Sequence, residues 1–285
     1  MSGNGNGGTI DRFAGAAGER STIMEALRRG KPLGDTLVID CHCHIGTWRA
    51  FHVPAPDAAG MLKSMDALGI DTACLTAHAA IGPDVRRGNG IVKDAIIAHP
   101  GRFLGYVTLN PHYQDDMQAE LDECFALAGF RGIKLHPGLH GVLPDDARYA
   151  PAYREADRRR CPVLIHTWGA ADLQAVERMA REHRDAPLIM AHAGGSVPAM
   201  ATAVEIVNRN VNVYIDTAFS LAFEGNIEWL TEEVGSGKIL FGSDMPFFDP
   251  RIDFGRVAWA VIPETDKRNI LGLNMKKLLE QAKRA

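Results

Sequence analysis

The chain has 285 residues, 46% of them hydrophobic, and a formal net charge of −4. That length suits one α/β barrel of about 250 residues or two ordinary domains. The absence of a basic stripe argues against a nucleic-acid partner, and no apolar run approaches the ~20 residues that span a membrane.

From the N-terminus, "MSGNGNGGTIDRF" lacks a charged region followed by an apolar one, so it does not read as a secretory signal. Residues 1–35 are expected to form an extension, a flexible Gly/Asn tail at first and helical near its end, ahead of a catalytic domain over 36–285. Eight short β-branched, apolar runs follow: "TLVIDCHCH" from 36, "DTACLTAH" from 71, "FLGYVTLN" from 103, "RGIKLHP" from 131, "PVLIHT" from 162, "PLIMAH" from 187, "VNVYIDT" from 211 and "KILFGSD" from 238. Between them lie segments such as "DAAGMLKSMDALG", "DDMQAELDECFALAG", "ADLQAVERMAREH" and "NIEWLTEEVGSG", with apolar positions three and four apart. Strands alternating with helices imply parallel pairing through right-handed crossovers. Eight units without a break in composition predict a (β/α)8 TIM barrel. An open doubly wound sheet would need a Gly-rich phosphate turn, which is lacking. "NMKKLLEQAKRA" closes the chain as a helix.

In such barrels the site forms at the C-terminal ends of the strands. Here the first run ends in His42 and His44, the fourth carries Lys134 and His136, and the fifth ends in His166. The sixth, seventh and eighth end in His192, Asp216 and Asp244. Unpaired buried charges are costly, so packing is a poor reason for so many. Residues two apart share a strand face, so His42 and His44 point one way and Cys41 and Cys43 the other, as small apolar residues. The five cysteines are odd in number and scattered, which predicts no disulfide framework and a reducing cytoplasm. His42, His44, His166 and Asp244 make a good set for one divalent transition metal. Zinc is the first expectation, with Mn, Fe, Co or Ni of similar fit. Asp244 is also placed to take a proton from a metal-activated water, and His192 to bind a substrate oxygen, shuttle a proton or ligate a second ion. Asp216 reads better as a hydrogen-bonding carboxylate. His78, His99, His112, His140 and His183 read as surface or locally bonded residues.

These elements, "IDCHCH", "GIKLHPG", "PVLIHT", "IMAHAGG", "VYIDTA" and "ILFGSDMPF" in order, resemble the amidohydrolase superfamily. The likeness is to its amidohydrolase-related branch, which includes aminocarboxymuconate-semialdehyde decarboxylase-like proteins. The resemblance implies a mononuclear or binuclear metal site on His42, His44, His166 and Asp244, with His192 catalytic or ligating. Lys134, in "GIKLHPG", stands where binuclear members such as dihydroorotases carry a carbamylated lysine. A carbamate there would allow a second metal, and an ammonium would pair with Asp244 or a substrate carboxylate. One metal and an unmodified, catalytic Lys134 are the expectation.

The main expectation is a metal-dependent hydrolase of a small cyclic amide, ester or lactone. The alternative is a non-oxidative decarboxylase of a small unsaturated or aromatic acid, and the third reading is a non-catalytic ligand-binding barrel. Arg49, His136, Trp168 and Phe247 are candidate substrate contacts that suit an anionic or cyclic small molecule, with Trp48 beside them. Barrels of this type often pair through their outer surfaces, so a homodimer is the assembly expected.

Overall fold

The computed structural model describes residues 21–219 and 223–282. The expected Gly/Asn tail therefore lies outside the described residues. A short helix, Thr22–Arg28, opens the described chain, capped by the Ser21 hydroxyl accepting from Met24 N.

Eight parallel strands follow in sequence order around a (β/α)8 barrel: β1 (Ile39–Ile45), β2 (Thr72–Ala77), β3 (Phe103–Thr108), β4 (Phe130–Leu135), β5 (Val163–His166), β6 (Leu188–Ala191), β7 (Val213–Asp216) and β8 (Ile239–Leu240). Each expected run overlaps one strand, with β1 extending one residue past its run and β4 starting one residue before it. β8 keeps only two residues, and the chain beyond it closes the barrel. Cys41 N donates to Phe241 O at 2.9 Å, Asp244 N to His42 O at 2.8 Å, and His44 N to Met245 O at 2.7 Å. The amphipathic segments form the outer helices, among them Ala58–Leu68, Gln114–Phe125, Ala170–Glu182 and Asn226–Val234. No described helix is long and apolar enough to cross a membrane.

Strand side chains divide between two cores. Cys43, Leu75, Val107, Ile133, Ile165, Met190 and Ile215 pack outward under the helices. Ile39, Cys41, Cys74, Tyr106, Leu164, Ile189 and Leu240 fill the barrel interior, where Met275, Leu278 and Leu279 of the helix Asn274–Gln281 join them. Cys41 thus departs from the expected alternation: it sits inside, and only Cys43 lies in the outer layer. The register of β1 against β2 shifts between Asp40 and Cys43. An irregularity of this kind inserts a residue and changes which face its neighbours take.

Candidate metal centre

Three of the four expected ligands converge. The ligand atoms of His42, His44 and Asp244 lie within 4.8 Å of one another, all buried. His44 Nε2 is 2.9 Å and His42 Nε2 3.7 Å from Asp244 Oδ1. His42, His192 and Asp216 form a second group of that compactness, but hydrogen bonds account for it. Asp216 Oδ2 lies 2.8 Å from His42 Nδ1, and its Oδ1 accepts from His192 N at 2.8 Å and Ala218 N at 3.2 Å.

The network assigns the imidazole protons. Asp216 holds the hydrogen of His42 on Nδ1. Thr76 Oγ1 lies 3.4 Å from Cys43 O and 2.6 Å from His44 Nδ1. With its own hydrogen on that carbonyl, the hydroxyl accepts from His44 Nδ1. Both Nε2 atoms are then lone pairs turned toward Asp244 Oδ1, a buried oxygen without a hydrogen-bond partner among the described residues. Three acceptors converge with no hydrogen of their own between them, as a cation requires, and only the Lys134 amine 3.1 Å from His42 Nε2 competes for them, so these residues fit a divalent metal. Burial, with Lys134 nearby, holds His42 well below its ordinary pKa, and burial also lowers His44, so both are neutral. Burial pushes the Asp244 carboxyl up, yet the balance of its surroundings holds it well below the carboxylate range.

His166 stands at the edge of this group. Its ring stacks on His136 with centroids 3.9 Å apart, and its Nδ1 is 3.1 Å from His192 Nε2. His192 Nδ1 lies 2.8 Å from Ala218 O and therefore carries its hydrogen. Where His192 Nε2 carries no hydrogen, His166 Nδ1 donates to it, which leaves His166 Nε2 as a lone pair. Burial, then His192 and Lys134, lowers His166 to about 2. Lys134 is fully buried, and its Nζ lies 3.1 Å from His42 Nε2 rather than pairing with Asp244. Burial lowers its pKa to about 8 against the pull of Asp244 and Asp216.

Backbone strain gathers here. His192 and Asp244 have φ of 62° and 59°, positive values that L residues adopt at about 1–3 kcal/mol each. Gly195, at φ +71°, gives way to Trp168, since a Cβ there would fall 2.4 Å from the indole. Trp168 itself is half exposed, parallel to His166 at 6.2 Å. Phe247 contacts Trp48 and Phe51 at 5.2 Å and stacks on His78 at 4.0 Å. A cavity of about 540 Å³ is lined by Phe247 with the loop at Val53–Ala55, the helix Ala58–Leu68 and Arg251. Arg49 is exposed on the β1 loop, and among the described residues it makes no hydrogen bond or ion pair.

His78 departs from expectation. It is buried, not superficial, and its ring lies 5.0 Å from that of His44. It ends the second run as His166 ends the fifth, so the strand-end rule applied to the other strands would have found it.

A closed (β/α)8 barrel with an imidazole–carboxylate cluster at the C-terminal ends of its strands defines a class, the metal-centred barrel enzymes. The family model described as amidohydrolase matches residues 39–280, and the chain belongs to that family. It is similar to a gamma-resorcylate decarboxylase of Rhizobium sp., 25% identical over 248 residues that cover 65% of this chain and 76% of that one. It is also similar to the 2-amino-3-carboxymuconate-6-semialdehyde decarboxylase of Dictyostelium discoideum, 23% identical over 67% of this chain and 65% of that one. Among solved structures it matches the 5-carboxyvanillate decarboxylase of Novosphingobium aromaticivorans complexed with manganese and 4-hydroxy-3-methoxy-5-nitrobenzoic acid. That match has a TM-score of 0.70 at 16% identity, over 88% of this chain and 98% of that one, and shows the fold. The curated relatives are named decarboxylases, which overturns hydrolysis of an amide, ester or lactone as the main expectation. The reason is physical: one ligand set serves both reactions, and fold with ligands does not select between them.

Proposed function

We propose that the protein is a non-oxidative decarboxylase of a small aromatic or unsaturated carboxylic acid, working with one divalent cation. The observation that carries the proposal is the convergence of the His42 and His44 lone pairs on the unpartnered Asp244 Oδ1 beneath a wall of aromatic rings. His42, His44 and Asp244 hold the ion, with His166 Nε2 as the fourth donor; manganese or zinc suits this set. When bound, the cation supplies positive charge that anchors the substrate's carboxylate and a neighbouring oxygen.

The chain's own residues do the rest. Asp216 and Thr76 keep the two imidazoles turned so that Nε2 is unprotonated. Lys134, largely an ammonium at neutral pH, faces the substrate carboxylate. Trp168, His136 and Phe247 flank the substrate ring. Asp244 stays ionised and serves as a ligand. His192 carries the proton: its Nδ1–H is fixed on Ala218 O, so Nε2 is the atom that gains and gives it, and it does so once turned from the His166 Nδ1–H that it otherwise accepts. The carbon–carbon bond breaks, carbon dioxide leaves, and the electron pair stays on the substrate carbon, which takes that proton.

The test is incubation of Mn²⁺- or Zn²⁺-loaded protein with a panel of ortho-hydroxy aromatic acids and with esters and lactones. Release of carbon dioxide with the matching phenol, abolished by chelation, is expected. Hydrolysis of the esters or lactones without any decarboxylation would sink the proposal.

A further inference from the structure

His78 follows β2 at the barrel mouth, and the proposed chemistry leaves it without a task. Its Nδ1 lies 2.6 Å from Gly46 O. A carbonyl only accepts, so Nδ1 carries the hydrogen and Nε2 is a bare lone pair. That nitrogen is buried and has no hydrogen-bond partner among the described residues. In the neutral imidazole that nitrogen can only accept. The imidazole lies between the candidate metal group and the aromatic wall: His44 at 5.0 Å, Phe247 stacked at 4.0 Å and Trp48 at 5.3 Å. Buried polar atoms in folded proteins are nearly always paired, and one left open beside a site awaits a partner from outside the chain.

We infer that His78 positions the substrate, its Nε2 accepting a hydrogen bond from a ring hydroxyl of the acid held at the neighbouring His42–His44–Asp244 group; this rests on the decarboxylase reading above. A methoxy group or a bare C–H at that ring position has no hydrogen to give and leaves the nitrogen unpaired, so His78 selects hydroxyl-bearing rings. Phe247, partly exposed on the loop after β8, stacks on the His78 ring at 4.0 Å and borders this place.

The experiment is calorimetric binding to Mn²⁺-loaded wild type, His78→Phe and His78→Gln. The ligands are 2,4-, 2,5- and 2,6-dihydroxybenzoate, each paired with the analogue whose second hydroxyl is methylated. Phenylalanine keeps a flat ring for stacking but has no acceptor, and glutamine returns an amide oxygen near the Nε2 position. Wild type should prefer the free hydroxyl of at least one pair by about tenfold or more. His78→Phe should lose that preference while binding the methylated partner as before, and His78→Gln should regain part of it. In turnover the preference should appear in KM rather than kcat. Equal binding of every pair by wild type overturns the inference. So does a His78→Phe protein that keeps the preference or weakens both members alike. Failure of the inference alone leaves binding and carbon dioxide release intact without hydroxyl selection at residue 78. Failure of the decarboxylase reading leaves wild type neither binding nor decarboxylating any of these acids, and overturns both.

Discussion

Asp216→Asn isolates the control of one imidazole. Asp216 Oδ1 accepts two backbone N–H groups, from His192 at 2.8 Å and Ala218 at 3.2 Å. Those donors would hold the carbonyl oxygen of an asparagine in the same place, leaving its NH₂ to face His42 Nδ1. Two donors cannot share that contact, so the proton of His42 moves to Nε2, the nitrogen that faces Asp244 and Lys134. The variant thereby removes a ligand lone pair without touching a ligand. The bond lost is buried and assisted by charge, worth about 1.5–3 kcal/mol. That corresponds to a loss of roughly 10–100-fold in cation affinity, the range expected when the outer partner of a ligating histidine is removed. Competition of Mn²⁺ or Zn²⁺ between the protein and a chromophoric chelator measures it, with circular dichroism to verify the fold. Unchanged affinity in a folded variant refutes the tautomer argument.

His44→Ala should abolish bound metal and activity while the barrel folds, and full metal content by elemental analysis would exclude His44 as a ligand. Lys134 titrates at about 8, whereas His166, at about 2, and His42, held well below its ordinary value, do not titrate near neutrality. Raising the pH removes a positive charge 3.1 Å from His42 Nε2, so cation affinity should climb up to about pH 8 and level off above it. Lys134→Met should flatten that profile; the same slope in both proteins would mean another group is responsible. Gly195→Ala would drive a Cβ to 2.4 Å from the Trp168 ring at a φ of +71°. It should lower stability by about 1–3 kcal/mol and shift the tryptophan emission, and an unaltered spectrum would contradict the contact. Replacing Cys41 and Cys43 together by Ala should leave metal stoichiometry unchanged, with a packing loss of a few kcal/mol. A sulfur-to-metal charge-transfer band in cobalt-substituted protein would show otherwise.

The barrel was legible because its strands advertise themselves twice, by β-branched runs and by polar residues at their ends. His42, His44 and Asp244 could be read from that pattern alone. Cys41 could not, because alternation presumes an unbroken ladder and the register shift between Asp40 and Cys43 breaks it. The protons were equally hidden. Thr76 and Asp216 lie 32 and 174 positions from the histidines they orient, and only the closed sheet brings them together. His166 illustrates the limit from the other side: its strand-end position was read correctly, but its contact with His192 depends on side-chain rotation. Decarboxylation could not be separated from hydrolysis because the same imidazoles and carboxylate serve both.

The last stave of this barrel is hardly a strand. β8 has two residues, and the seam to β1 is stitched by the segment that also bears Asp244, through Cys41 N to Phe241 O, Asp244 N to His42 O and His44 N to Met245 O. The residues that would hold a cation and the closure of the cylinder therefore share one clasp. An ion bridging Asp244 to the two β1 histidines would rivet the first stave to the last, and its binding free energy would enter global stability through mass action. Stripping the ion should be felt along the seam as faster amide exchange at residues 41–44 and 241–245, ahead of the strands on the opposite wall. The protein would then lose its hoop before it loses its staves.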